Sequence, residues 1–279
     1  MVVIDCKSIA DKILDEVKER RERLLFTPAL VTIYFQKSVF TKSLRETFEK
    51  AGLYLYKEFF DGSSAELEAK LRKCNEMPVY HGVLIQTPLS RSASRDVFES
   101  IDPEKDVDGA TIENQVRYIV GNEVIAPPAT PQAIVEVLTS LPGYSLRALQ
   151  DKIITVVGKG NVGATLAARL MHISPNVHVC HTRTRNPVEL IKRADIVISA
   201  TGAIGIITED KIKPGAVVID VGYSTNVSPG STAYRGDVDF EEVAHKASYI
   251  TRVPGGVGLV TNAILARNLL RICERKNVY

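Results

Sequence analysis

The chain has 279 residues, of which 45% are hydrophobic and 24% charged, a composition typical of one large or two medium globular domains and not of a disordered chain. Its 35 basic and 33 acidic residues leave a net charge of +2. Because no long run of like charge is present, a nucleic-acid-binding stripe is excluded, and any phosphate-bearing ligand must be recognised locally.

The sequence offers no signal for a membrane, for disulfides or for a metal. The first residues include Asp5 and Lys7, where a signal peptide needs an apolar core, and no apolar stretch approaches the ~20 residues of a membrane span. The four cysteines are far apart and form no zinc-binding pattern with histidine. We therefore expect a cytoplasmic protein with no metal site and with neither a membrane nor a nucleic-acid partner.

The N-terminal half alternates between helical and strand patterns. Apolar residues at helical spacing predict helices, and runs rich in β-branched residues predict buried strands. The predicted elements are a helix over 11–23, a strand over 30–35, a helix over 41–50, a strand over 54–59, a helix over 65–72 and a strand over 82–86. Such alternation predicts a parallel sheet.

A proline-rich segment over 121–131 separates this half from a second alternating one. After a helix over 132–138, strands are predicted over 153–157, 177–180, 195–199, 216–221 and 249–250, and a last helix over 263–275. The predicted fold is α/β with two domains, an N-terminal α/β domain over 1–127 and a C-terminal Rossmann-type doubly wound parallel sheet over 128–259. The C-terminal helix, 260–279, is expected to complete the N-terminal domain.

The predicted strand over 153–157 leads directly into a glycine-rich loop and a helix. The loop consists of Gly158, Lys159, Gly160, Asn161, Val162 and Gly163. This GxGxxG pattern between strand and helix is typical of dinucleotide binding, and the alternative is an incidental glycine turn. In the binding interpretation Gly158 permits a tight turn, Gly160 lets the backbone approach the pyrophosphate, and Gly163 lets helix and strand pack closely.

A basic segment follows where an NAD enzyme carries Asp or Glu, about 20 residues beyond the glycines. It consists of Thr182, Arg183, Thr184 and Arg185. Arginines and hydroxyls suit a 2′-phosphate, which favours NADP over NAD; alternatively, both arginines are solvated loop charges. Small residues at the ends of later strands are further candidates for cofactor contact, because such ends border the ligand crevice. They are Ala200, Thr201, Gly202 and Gly222.

Five further segments along the chain have sequences that, taken together and in their order, point to a known protein family. They are Ile85–Ser90, Pro103–Gly109, Ala129–Pro131, Gly236–Phe240 and Val253–Gly258. Together they strongly resemble the methylenetetrahydrofolate dehydrogenase/cyclohydrolase family over nearly the full chain. The resemblance implies oxidation of 5,10-methylenetetrahydrofolate with a nicotinamide cofactor, then hydrolysis of the methenyl product to 10-formyltetrahydrofolate, at one site in a cleft between two domains. It also implies tetrahydrofolate derivatives as ligands and a homodimer through the cofactor domains.

The resemblance further implies roles for particular residues. Gln86 matches the family's active-site glutamine, and Asp108 matches the aspartate that holds the donor groups of the pterin. A carboxylate can accept two charge-assisted hydrogen bonds from the N–H groups along one edge of the pterin. On spacing alone, however, an aspartate beside a glycine, as in Asp108 and Gly109, is typical of a turn. The family's loop near the nicotinamide and the folate corresponds to Pro254, Gly255 and Gly256.

The sequence departs from the family at its Tyr-x-x-x-Lys motif. Phe40 and Leu44 align with the tyrosine and the lysine, so the hydroxyl and the amine are lost at the substrate-binding helix. Lys42 lies about 200° away around that helix, which leaves Lys37, before the helix, as the other candidate amine. Hydride transfer needs mainly alignment, whereas hydrolysis needs a positioned acid/base.

We therefore expect an NADP-dependent methylenetetrahydrofolate dehydrogenase whose cyclohydrolase step is slow or lost. Two other hypotheses stay open. The first is a catalytically silent folate- or nucleotide-binding protein of the same fold. The second is a Rossmann dehydrogenase of another substrate, against which Gln86, Asp108 and the 254–256 loop argue.

Overall fold

A computed structural model describes residues 1–36, 38–87, 89, 94–222, 224 and 235–276. The strands are β1 (Val2–Val3), β2 (Ala29–Tyr34), β3 (Tyr54–Phe59), β4 (Gly82–Ile85), β5 (Ile154–Val157), β6 (Val177–Cys180), β7 (Ile196–Ser199), β8 (Val217–Asp220) and β9 (Tyr249–Ile250). The helices are α1 (Cys6–Arg21), α2 (Val39–Lys50), α3 (Ser64–Glu76), α4 (Ile112–Ile119), α5 (Ala129–Thr139), α6 (Asn161–Met171), α7 (Pro187–Arg193), α8 (Phe240–Ala244) and α9 (Val257–Lys276). Lys37, Pro88 and Ser90, which entered the sequence analysis, lie outside the described residues.

The chain divides into two compact units. Unit 1 comprises Met1–Ile9, Ile119–Gly121 and Thr130–Val260, and unit 2 comprises Ala10–Tyr118, Asn122–Ala129 and Thr261–Tyr279. All of 1–127 was predicted to form one domain, whereas the first residues belong to unit 1 because β1 pairs with β9. A two-residue strand leaves too little pattern to be predicted. The other predicted domain limits stay predictions.

Unit 1 is built on a parallel sheet with the strand order β1-β9-β8-β7-β5-β6 in the part of the chain that the structure describes. Every residue of β5, β7 and β8 is buried. Parallel strands covered on both faces have continuous apolar sequences, which is why these strands were recognisable. The α/β fold class predicted from the sequence is confirmed.

Unit 2 contains a parallel sheet with the order β3-β2-β4. One face of β2 and β4 supplies Val31, Ile33, Val83 and Ile85 to a hydrophobic core that includes Leu67 and Leu71 of α3. Because side chains alternate along a strand, Thr32 and Gln86 lie on the opposite face. Gln86 follows β4 directly, and its backbone N–H donates to the carbonyl of Ile33 at 2.9 Å.

None of the helices described here is both long and apolar enough to cross a membrane.

Candidate active site

The glycine-rich loop in unit 1 follows β5 without a break. Gly158 has φ +109°, and a Cβ there would lie 2.4 Å from the carbonyl oxygen of Ala200. A Cβ on Gly163 would lie 2.0 Å from the carbonyl oxygen of Gly158. The close packing of the loop against β7 and of α6 against the loop therefore requires both glycines, as the sequence interpretation expected.

The loop also lies where a doubly wound sheet binds ligands. β6 and β7 pair with opposite edges of β5, so the loop follows the strand at which the strand order reverses, the usual position of the ligand crevice. α6 begins at Asn161 with no side-chain cap, which leaves its first N–H groups for an anion. Apart from its two chain neighbours, no atom of the described residues lies within 4 Å of a Cβ built on Gly160. The loop therefore has room for a pyrophosphate, and its residues fit a dinucleotide.

The basic segment of unit 1 lies beside this loop. Gly158 donates its N–H to the carbonyl of Cys180, the last residue of β6, at 2.8 Å. The chain then turns, with the N–H of His181 donating to Oγ1 of Thr184 at 2.9 Å. Thr182, Arg183 and Arg185 are exposed, and no ion pair to either guanidinium occurs among the described residues. Both arginines are thus free to meet a phosphate near the glycine loop.

Two of the small residues after β7 and β8, Thr201 and Gly222, contact a pair of buried carboxylates, Asp220 and Asp237. The N–H of Thr201 donates to Oδ2 of Asp237 at 2.6 Å, and the N–H of Gly222 donates to Oδ1 of Asp220 at 2.9 Å. Burial raises the pKa of Asp220 to about 7; the neighbouring Asp237 carboxylate contributes to this rise, and backbone N–H donors oppose it.

The Asp237 carboxylate also explains why a glycine stands at position 222. A Cβ on Gly222 would lie 1.9 Å from Oδ1 of Asp237. Packing inside unit 1 therefore accounts for this glycine without a ligand. Ala200 is half-buried, while Thr201 and Gly202 are exposed beyond β7. Cofactor contact stays a prediction at all four positions.

The loop before α9 combines exposed and buried residues of unit 1. Pro254 and Gly255 are exposed, and Gly255 has φ +97°, which favours glycine. Gly256 is buried, and a Cβ there would lie 2.2 Å from the carbonyl oxygen of Arg252. The loop therefore presents its first two residues to solvent, and the third is a glycine because the backbone folds back on itself.

In unit 2, hydroxyl groups hold the amide of Gln86. Its side chain is 6% exposed. Oε1 accepts a hydrogen bond from Oγ1 of Thr41 at 2.7 Å, and Nε2 donates to Oγ1 of Thr32 at 3.0 Å. Oγ of Ser38, the N-cap residue of α2, lies 3.0 Å from Oγ1 of Thr41. Neither threonine was predicted from the sequence, because no spacing pattern distinguishes them from other threonines.

Asp108 lies in a tightly ordered loop of unit 2. The fully buried carboxylate of Asp106 accepts hydrogen bonds from the N–H groups of Ala110 and Thr111 at 3.0 and 2.9 Å, and so joins the loop to the start of α4. Gly109 has φ +59°, and a Cβ there would lie 2.5 Å from the backbone N of Pro128. The conformation on both sides of Asp108 is therefore determined by its neighbours.

A buried asparagine of α9 holds the same loop from the other side. Nδ2 of Asn268 donates to the carbonyls of Val107 and Pro127, each at 2.9 Å. These residues lie on the two chain segments that meet at Asp108, since the N–H of Ala129 donates to the Asp108 carbonyl at 3.2 Å. Asn268 thus helps to position Asp108, a role that only the folded chain reveals.

The Asp108 carboxyl group has an unusual environment. Burial raises its pKa to about 7, the Asp106 carboxylate contributes to the rise, and a hydrogen bond from the backbone of Ala129 opposes it. The residue as a whole is only half-buried, so a ligand can reach it. A carboxylate with few donors of its own gains most from a ligand that supplies two N–H groups.

The α2 helix places Thr41, Leu44 and Phe48 on its buried face. Leu44 is 0% exposed, and it lies about one turn from Thr41, the residue that bonds Gln86. Phe40 is half-buried. Lys42 is exposed, and its Nζ lies 3.9 Å from Oε1 of Glu46. Its side chain therefore faces away from this surface, as its position on the helix predicted. The surface that α2 buries therefore carries no amine.

Models of one known protein family match most of the chain. Residues 128–277 match the tetrahydrofolate dehydrogenase/cyclohydrolase NAD(P)-binding domain, and residues 4–108 match the catalytic domain of the same family. The chain belongs to the tetrahydrofolate dehydrogenase/cyclohydrolase family. The family resemblance predicted from the sequence motifs is thereby confirmed.

Individual members of the family resemble the chain over its whole length. The bifunctional protein FolD of Dictyoglomus thermophilum is 35% identical, with 98% of each chain covered. The crystal structure of the bifunctional FolD enzyme from Campylobacter jejuni has a TM-score of 0.88 and 32% identity, with 99% of each chain covered. The Trypanosoma brucei FolD structure, in complex with NADP and an inhibitor, has a TM-score of 0.89 and 28% identity, covering 100% of this chain and 99% of that one.

Within this family framework, the structure groups the predicted site residues by unit. Phe40, Leu44, Gln86 and Asp108 lie in unit 2. The glycine loop, the basic segment, the small residues after β7 and β8, and the 254–256 loop lie in unit 1. The roles that the resemblance implies for each residue stay predictions, and Thr32, Thr41, Asp106 and Asn268 are additions that the structure supplies.

Proposed function

We propose that this protein oxidises 5,10-methylenetetrahydrofolate to 5,10-methenyltetrahydrofolate with NADP. The observation that carries the proposal is the combination, in one chain of this family, of a dinucleotide loop in unit 1 with an ordered Asp108 in unit 2. A Rossmann dehydrogenase that acts on another substrate would not need Asp108 and Gln86 to be positioned in this way. The nicotinamide of NADP supplies the hydride-accepting group when the cofactor is bound.

The cofactor assignment rests on the residues around the glycine loop. The N–H groups at the start of α6 receive the pyrophosphate, and Gly160 leaves space for it. The exposed Arg183, with Arg185, binds the 2′-phosphate, because a guanidinium matches a phosphate with two parallel hydrogen bonds. The FolD protein from Trypanosoma brucei, which shares this fold, was solved with NADP.

The folate assignment rests on unit 2. The carboxylate of Asp108 accepts hydrogen bonds from the N–H donors of the pterin, which requires its ionised form. Gln86 contributes an amide whose carbonyl and N–H are each already oriented by a threonine. Phe40, which is half-buried, adds an apolar group to the substrate surface, whereas Leu44 is fully buried beneath it. These residues bind and align the substrate, and none of them needs to exchange a proton during the oxidation.

We further propose that the cyclohydrolase step of the family is slow or lost in this chain. Hydrolysis of the methenyl group needs a positioned acid/base. Leu44 stands where the family has lysine, and the side-chain partners of the Gln86 amide are the uncharged Thr41 and Thr32. The oxidised product therefore accumulates as methenyltetrahydrofolate.

The test is to mix the protein with methylenetetrahydrofolate and NADP and to record the absorbance of NADPH and of methenyltetrahydrofolate separately. Equal accumulation of both supports the proposal. Methenyltetrahydrofolate is then supplied alone, and its loss is compared with the non-enzymatic rate at the same pH. Enzymatic acceleration would overturn the loss of hydrolysis. Folate binding without NADPH formation would favour the second candidate, a silent folate-binding protein of the same fold.

We also propose that the protein forms a homodimer through unit 1. We propose the cytoplasm as its compartment. The described part of the unit 1 sheet ends at β6, which pairs on one side only with β5. Val179 on this edge strand and Met171 at the end of α6 are exposed apolar residues. An open edge with exposed apolar side chains favours pairing with a second copy. Sedimentation equilibrium tests this, and a monomer mass at micromolar concentration would contradict it.

A further inference from the structure

Hydroxyl groups contact both polar atoms of the Gln86 side-chain amide. Thr41 donates its hydroxyl hydrogen to Oε1 of Gln86 at 2.7 Å. Its oxygen is then free to accept, and Oγ of Ser38 lies 3.0 Å away. On the other side of the amide, Nε2 of Gln86 donates one hydrogen to Thr32. The amide thus has its carbonyl toward α2 and its NH2 group toward β2.

Gln86 and its two threonine partners are buried. Gln86 is 6% exposed, Thr32 is fully buried and Thr41 is 9% exposed. Leu44, one turn along α2, offers only methyl groups. Among the described residues, the Gln86 carbonyl oxygen accepts its side-chain hydrogen bond from Thr41. A buried carbonyl without its donor is costly, so the Thr41 hydroxyl helps to fix the Gln86 amide in its observed position.

We propose that Thr41 is a positioning residue that holds the Gln86 amide in the orientation used for substrate binding. In this orientation the second Nε2 hydrogen and the second lone pair of Oε1 are the groups left for a ligand. Thr41 does not itself contact the reacting atoms. This inference rests on the proposed function for its kinetic consequence, and on the hydrogen bonds alone for the orientation of the amide.

The kinetic experiment compares Thr41→Val, which keeps the shape and removes the hydroxyl, with Thr41→Ser, which keeps the hydroxyl. Thr47→Val is the matched control, because the Thr47 hydroxyl lies on the same helix and donates to the carbonyl of Ser43 at 2.9 Å. We expect kcat for methylenetetrahydrofolate oxidation to fall about 3- to 10-fold in Thr41→Val, the size of one net hydrogen bond. The KM for NADP stays at the wild-type value, and Thr41→Ser recovers most of the rate.

A double-mutant cycle separates positioning from general destabilisation. If Thr41 acts through Gln86, Thr41→Val in a Gln86→Ala background lowers kcat no further, and the two changes are strongly non-additive. If Thr41 only supports the fold of α2, the effects of the two substitutions multiply, which would overturn the proposal. Thermal unfolding of each variant shows whether the variants are folded at the assay temperature.

A spectroscopic experiment can test the orientation of the Gln86 amide without any measurement of enzymatic activity. In protein labelled with ¹⁵N-glutamine, the side-chain amide signals of Gln86 are identified by their loss in Gln86→Ala. We expect these signals to shift and to exchange faster with water in Thr41→Val, and to stay at their wild-type positions in Thr47→Val. Unchanged Gln86 signals in a folded Thr41→Val protein would overturn the proposal. If the wild type proves inactive, the proposed function fails, and the amide signals alone decide whether Thr41 orients Gln86.

Discussion

Replacement of Asp108 by asparagine should weaken folate binding and, at the same time, stabilise the folded protein at alkaline pH. Burial and the Asp106 carboxylate raise the pKa of Asp108 from 3.8 to about 7. The folded protein therefore resists ionisation of a group that is already ionised in the unfolded chain above pH 4. The folded state is penalised progressively as pH rises from the unfolded pKa to about 7, and asparagine removes that penalty.

The size of the effect follows from the pKa difference. A shift from 3.8 to about 7 corresponds to a ceiling of about 4 kcal/mol at 1.36 kcal/mol per unit. Because Asp108 is half-buried, solvent screening reduces this to on the order of 1–2 kcal/mol. A stabilisation of that size raises the melting temperature by about 2–6 °C for a protein of this class. Folate affinity should fall about 10- to 100-fold, because an amide cannot accept both pterin hydrogen bonds.

The assay is thermal unfolding of wild type and Asp108→Asn at pH 5 and pH 8, together with folate titration at pH 8. The matched control is Glu113→Gln, which removes the same charge from an exposed carboxylate that pairs with Arg117 at 2.7 Å. We expect the melting temperature of Asp108→Asn to exceed that of wild type, by more at pH 8 than at pH 5. The control should show no pH-dependent gap, because exposed pairs contribute little.

Two results would refute this reasoning. A gap between Asp108→Asn and wild type that is the same at both pH values would mean that the carboxyl group is not desolvated in the folded chain. Unaltered folate affinity in a folded Asp108→Asn protein would mean that Asp108 does not hold the pterin. The wild-type protein should also bind folate more weakly as pH falls below about 7, because protonation removes an acceptor.

Three further predictions concern the cofactor loop and the lost motif. Arg183→Ala should reduce the preference for NADP over NAD by about tenfold or more, and an unchanged ratio of kcat/KM values would disprove the phosphate assignment. Gly158→Ala should destabilise the protein by about 3 kcal/mol or more, since backbone strain and a clash combine. Gly160→Ala should stay folded and weaken NADP binding. Denaturant unfolding and NADP titration distinguish the two variants, and equal free energies of unfolding for both would contradict the loop geometry. Phe40→Tyr with Leu44→Lys should restore hydrolysis of methenyltetrahydrofolate, and a folded double variant without hydrolysis would show that the motif alone is insufficient.

Much of the fold was predictable because its signals are local. The bounds predicted for β3, β6 and β9 match the structure, since strands of parallel sheets are short apolar runs between polar or glycine-rich turns. The glycine loop after β5 was predictable for the same reason, because φ +109° at Gly158 and the close approach at Gly163 leave glycine as the residue that fits.

Element ends were less predictable where a distant or unusual group determines them. α4 was not predicted, and its start depends on Asp106, whose carboxylate accepts the N–H and the hydroxyl of Thr111. α5 begins at Ala129, inside the proline-rich segment over 121–131 that was interpreted as separating the two halves of the chain. Proline in the first turn of a helix interrupts no hydrogen bond, since those N–H groups have no partner within the helix.

The sequence by itself determined the α/β class, the position of the dinucleotide loop and the family, because each depends on residue types at short, fixed spacing. Only the tertiary structure decided which side chains support the site. Thr41 and Thr32 bond Gln86 from 45 and 54 residues away, and Asn268 holds the Asp108 loop from α9. A single threonine or asparagine forms no distinctive local sequence pattern. Its hydrogen-bond partner depends on which donor and acceptor the tertiary packing buries next to each other, because buried polar groups need a partner.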